Sequence, residues 1–263
     1  GNPLIILLDK PANYHRNLTL TIGFCGIGSF AGPFLLSFVE SSGRSWQQIY
    51  GIFALLCSLL VISLSLNKFP KIPAANVERF SLSEVGRLMS HPLVIVYSLG
   101  IFFYVGAEVG TASWIVKFFE QVHGVPSTST ALHGAGWMAH LAPSLPAFTV
   151  ALFWGLQGVG RLVSSYGIQT IGGRSILRAY SVLSALCLLI AIYGPVSAAL
   201  PAFAACGFFT SVLFTLLFSG ALNSFSRSRS TISGILCAAS IGGAVVPPLV
   251  GLLAEHAGMR AAM

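Results

Sequence analysis

Glu108 stands apart from the other acidic residues. It lies in the run FFYVGAEVGTASWIV (Phe102 to Val116), near the middle of an apolar stretch over residues 92–119. Asp9, Glu40, Glu78, Glu84, Glu120 and Glu255 instead sit in polar segments or at the ends of such stretches. Holding a carboxylate at the centre of a bilayer costs about 2.5–3.5 kcal/mol on insertion scales, so such residues mark ion or solute paths or bond to another helix. Protonated, the group donates a hydrogen bond to a hydroxyl; ionised, it requires a cation or water beside it. Both states suit a transport path, and a structural tie between helices is the competing reading. Tyr104, one turn earlier, shares the same helix face.

Trp114, Trp154 and Gln157 are further candidates for binding. Sugars are held by flat indole faces together with side-chain amides that bond hydroxyls. Trp114 reads equally well as an interfacial anchor. Gly106 and Gly110 form a G-x-x-x-G pair around Glu108. At about 100° per residue their shared face points away from Glu108 and suits close helix packing. Gly242, Gly243, Pro247 and Pro248 predict close packing and a kink in the last apolar run, in preference to ligand contact. His123, His133 and His140 are too widely spaced to indicate a metal site. Cys25, Cys57, Cys187, Cys206 and Cys237 show no C-x-x-C spacing and read as small apolar packing residues. Neither a metal nor a cofactor is expected.

The elements that carry these residues must be membrane helices. Hydrophobic residues make up 55% of the 263 and charged residues only 8%, against about 25% charged in soluble domains. So few charges cannot solvate a water-soluble surface. Apolar runs of about 20 residues, enough to cross a ~30 Å hydrocarbon core, lie near 18–39, 47–66, 92–119, 145–168, 175–193, 200–222 and 231–254. The expected fold is an all-α membrane protein of about seven transmembrane helices. Residues 1–8 are apolar but too short to span, and only a short stretch follows the polar turn Glu255 to Arg260. The chain is therefore expected to be an incomplete piece of a larger bundle.

The net charge of +7 reads as topology, and no nucleic-acid partner is implied. Segments 9–17, 67–90, 161–178 and 223–230 share one side and hold eleven of the fourteen Lys and Arg residues, counting Arg161. The other three are Arg44, Lys117 and Arg260. By the positive-inside rule the first side is cytoplasmic and loop 120–144 is external. The first complete helix then starts inside and the last ends outside, which is opposite to a seven-helix receptor. Segment 67–90 reads as a linker between two bundles. Within it, Leu82, Val85 and Leu88 alternate with polar neighbours between Ser81 and Ser90, predicting an amphipathic interfacial helix.

The segments IGGAVVPPLVGLLAE (Ile241 to Glu255), FFYVGAEVGTASWIV and FWGLQGVGRL (Phe153 to Leu162) resemble the fucose:proton symporter family of the major facilitator superfamily. GIGSFAGP (Gly26 to Pro33) and FTLLFSGAL (Phe214 to Leu222) extend the similarity in order along the chain. The resemblance implies a major facilitator-type bundle cut to about helices five to eleven of twelve. Residues 1–66 end the N-terminal bundle, 67–90 form the cytoplasmic linker, and 91–263 form most of the C-terminal bundle. Gly160 belongs to the shared motif, and Arg161, Gly173 and Arg174 are assigned to the basic loop between helices eight and nine.

By the same resemblance the protein is a secondary carrier in the plasma membrane, moving a small polar solute, a sugar by class, through alternating access. Its partners are lipid and solute, and coupling to protons stays open. The family's sugar-contacting glutamine and asparagine on helix five correspond to Ile22 and Cys25, and Thr215 stands where helix ten commonly carries proline. The carboxylates that couple protons in the resembled symporter lie on helices outside this chain. The alternative is a scaffold that no longer transports, such as a nutrient sensor. An enzyme is disfavoured, because beyond Glu108 no span carries a second carboxylate or a nucleophile with its base.

Overall fold

Long apolar helices must bury their main-chain polar groups internally when no water is available, and helical hydrogen bonding does this within one segment. The computed structural model describes residues 28–32, 34–35, 39, 45, 47–67, 82–126, 144–225 and 228–263. Ile22, Cys25, His133, His140, most of the run 18–39 and most of the linker and of loop 120–144 lie outside the described residues.

Among the described residues from 47 onward, ten helices follow in order: α1 Gln48–Leu66, α2 Leu82–Met89, α3 Pro92–His123, α4 Leu145–Ile171, α5 Gly173–Tyr193, α6 Val196–Thr210, α7 Leu213–Ser224, α8 Arg229–Ala239, α9 Gly242–Ala257 and α10 Met259–Ala262. By length and composition, six membrane spans are present among the described residues. The expected runs at 200–222 and 231–254 are each divided, into α6–α7 and α8–α9. Local sequence explains the ends of α3. His91 accepts from Leu93 N–H through Nδ1 at 3.2 Å, Pro92 opens the first turn, and Gly124 closes the helix in the left-handed region at φ 65°.

The structure corrects one expectation. Arg161, Gly173 and Arg174 are not in a loop, because α4 continues to Ile171 and α5 starts at Gly173, the two joined through Gly172 alone, at φ 90°. That backbone suits a residue without Cβ. Arg161 therefore sits about ten residues, or ~15 Å, inside the helix end. Without Arg161 the expected eleven-to-three split of basic residues becomes ten to three. Pro247 and Pro248 lie inside α9, and the apolar run 231–254 is interrupted ahead of them, at Ser240–Ile241.

Helix α6 packs on α4 and α5, and α3 packs on α9 and more lightly on α7 and α8. Two apolar clusters divide the bundle along α3. One joins Leu88, Val94, Ile101, Ala221, Ile232 and Leu236. The other brings Ala112, Ile115, Phe118 and Phe119 of α3 against Phe153, Phe203 and Cys206. The predicted interfacial helix is α2; its Leu88 enters the first cluster, and its Glu84 accepts from Ser228 Oγ at 2.6 Å. By contrast α1 buries none of its residues, and Leu55, Leu56, Leu59 and Leu60 are all exposed. Such a surface is stable only in hydrocarbon.

A candidate solute site at the middle of the bundle

The interval of α3 between the two apolar clusters, from Ile101 to Ala112, is the one that carries Tyr104 and Glu108. Helical spacing sets these two on one face, one turn apart. Gln157 and Arg161 repeat that spacing on α4. The two pairs meet: Gln157 Nε2 donates to Glu108 Oε1, and Gln157 is only 2% exposed. The Arg161 guanidinium lies within electrostatic reach of Glu108, and Tyr104 stands one turn before Glu108 on the same face of α3. A polar layer is thus held between two apolar layers.

The third wall is the junction between α6 and α7. Tyr104 Oη donates to the Thr210 carbonyl at 2.9 Å, and Arg161 Nε donates to the Ser211 carbonyl at 3.1 Å. Carbonyls at a helix end need partners from outside the helix, and α3 and α4 supply them here. The close approach depends on Gly160, where an added Cβ would stand 2.6 Å from both Phe208 O and Ser211 Oγ. Sequence reasoning missed Arg161 as a member of this site. The available signal was its position four residues after Gln157, in a run that stays apolar through Leu162 and Val163.

The other candidates are placed elsewhere. Trp114 Nε1 donates to the Pro247 carbonyl at 2.9 Å, and its ring lies where a Cβ on Gly251 would be 2.8 Å away, so it ties α3 to α9. Trp154 sits edge-on to Phe153 and packs on the second apolar cluster. Gly106 and Gly110 do face away from Glu108: a Cβ on Gly106 would press on Val246 and stand 3.2 Å from the Gly242 carbonyl, and one on Gly110 would be 3.3 Å from Val246. Gly242 lies directly on the Phe102 backbone, and Gly243 fits between Val105 and Val109. Both glycine sets therefore serve helix contact.

The fold of this helical bundle has solved counterparts. The crystal structure of the Escherichia coli fucose:proton symporter FucP superposes with a TM-score of 0.70 over 99% of this chain and 67% of that one, at 20% sequence identity. The glucose/galactose transporter of Brucella abortus is 30% identical over 274 residues, all of this chain and 62% of the relative. The L-fucose-proton symporter of Escherichia coli is 25% identical over 292 residues, 98% of this chain. No protein-family model matches. The chain is thus similar to the glucose/galactose transporter and to the L-fucose-proton symporter along nearly its whole length, and it spans 62% of the length of these curated relatives.

Proposed function

We propose that this chain forms part of a secondary carrier that moves a sugar across the plasma membrane by alternating access, with Glu108 and Gln157 as solute-binding groups and protons as coupling ions. The observation that carries the reading is the carboxyl–amide pair of Glu108 and Gln157, buried between two apolar clusters at mid-span. Carboxyl, amide, phenol and guanidinium together offer both donors and acceptors, the requirement for a polyol. The names of the relatives, glucose/galactose transporter and L-fucose-proton symporter, supply the sugar class.

The test is uptake of labelled glucose, galactose and fucose by proteoliposomes that hold the protein expressed in its full coding context. Accumulation of at least one sugar is expected. Glu108→Gln is expected to keep membrane abundance while altering uptake or its pH profile, and Gln157→Ala to lower uptake about tenfold, the equivalent of ~1.4 kcal/mol. Absence of uptake of all three sugars by the unaltered protein would refute transport of this class. Equal loss of uptake and abundance in both variants would assign the pair to packing.

A further inference from the structure

Tyr104 has one hydroxyl proton to donate; it goes to the Thr210 carbonyl at 2.9 Å, and the Glu108 carboxyl stands one turn along the same face of α3 as a second acceptor. A phenol serves one of them at a time. Thr210 closes α6, the backbone leaves helical geometry at Val212 with φ −111° and ψ −3°, and α7 resumes at Leu213. The neighbouring Ser211 carbonyl is held by Arg161. Both carbonyls at this junction are thus gripped by side chains that also face Glu108. The junction itself is buried, with Ser211 1% exposed and its hydroxyl lacking a hydrogen-bond partner.

We propose that Tyr104 is a positioning residue that couples the occupancy of Glu108 to the helix junction at Ser211–Val212, its hydroxyl swinging between Thr210 O and the Glu108 carboxyl. The inference rests on Glu108 being a solute site. With Glu108 engaged by Gln157, a solute hydroxyl or a proton, Tyr104 donates to Thr210 and the junction is held. With Glu108 ionised and stripped of those partners, the carboxylate is the stronger acceptor, since hydrogen bonds to an ionised group are about twice as strong as neutral ones. Tyr104 then turns to it, and α7 is released at its first turn. The proton stays on the phenol oxygen throughout, so only hydrogen bonds are exchanged.

Tyr104→Phe keeps the ring and removes the donor. The experiment uses the protein in its full coding context with native cysteines replaced and spin labels on Arg174→Cys and Ser224→Cys, at the start of α5 and the end of α7. In the otherwise unaltered protein, the sugar found to be transported is expected to change the label separation. Tyr104→Phe is expected to bind that sugar within about threefold of normal, to lose the sugar-dependent change, and to lower the maximal uptake rate about tenfold, a KM-against-rate split. Glu108→Gln, which removes the competing charge, is expected to hold the labels at the sugar-bound separation with and without sugar.

A Tyr104→Phe protein that responds and transports normally overturns the proposal and leaves the carrier reading standing. Loss of binding in proportion to uptake also overturns it, because Tyr104 is then a direct solute ligand. Full label response in Glu108→Gln overturns it even where Tyr104→Phe fails to fold. An unaltered protein that binds none of the sugars overturns both readings.

Discussion

Two spans of this bundle are broken, and they are broken differently. At Ser240–Ile241 the backbone satisfies itself: Ser240 N bonds Cys237 O at 3.2 Å, Ile241 N bonds Ala238 O at 3.1 Å, and Gly243 N bonds Ser240 O at 3.1 Å. These short-range bonds tighten the chain into one turn, and Ile241 stays 60% exposed. The break there lets Gly242 seat on the Phe102 backbone. At Ser211–Val212 the junction is buried, and its carbonyls are held by Tyr104 and Arg161 from two other helices. A self-satisfied break is a packing adjustment. One held by distant side chains can be communicated with.

Substitution at each break sharpens the contrast. The largest loss of stability is expected from Gly242→Val, since its Cβ meets main chain of α3 that cannot turn aside. A cost of about 3 kcal/mol should appear as a lower thermal midpoint in detergent by fluorescence-detected gel filtration. Arg161→Leu comes next, at about 2 kcal/mol, because it strands the Ser211 carbonyl and leaves Glu108 without its nearby cation. Arg161→Lys restores charge but not the planar fork, and recovery of less than half of the lost stability would show that the hold on Ser211 matters. If Arg161→Leu is as stable as the parent, the two breaks do not differ in kind. Trp114→Phe, which removes the indole donor to Pro247 within α9, is expected to cost only about 0.6 kcal/mol, typical of interhelical bonds in membranes. A drop in sugar uptake larger than that cost explains would return Trp114 to the list of solute contacts.

Much of the architecture was legible in the residues themselves. Apolar runs near 20 residues fix where helices cross a membrane, because each span must satisfy its own backbone. Hence 47–66 and 92–119 reappear as Gln48–Leu66 and Pro92–His123. The isolation of Glu108 in its run and the opposed glycine face followed from helical periodicity, and Gly106 and Gly110 do pack on α9. The interfacial helix was readable from Leu82, Val85 and Leu88, and it forms over Leu82–Met89.

What periodicity cannot give is which face meets which neighbour, since that depends on contacts between helices far apart in sequence. Gln157 reaches Glu108 across 49 positions, and Trp114 reaches Pro247 across 133. The resemblance assigned Arg161 to a loop; only the packed bundle supplied the Ser211 carbonyl and the nearby Glu108 carboxyl that make a cation within the helix tolerable. Likewise the interruption of the last apolar run at Ser240–Ile241, ahead of Pro247–Pro248, was not marked in the sequence. Local chemistry determined that this chain forms membrane helices with one carboxyl at their centre. Tertiary packing decided that carboxyl's partners, because a charge buried in a bilayer is defined by what other helices bring to it.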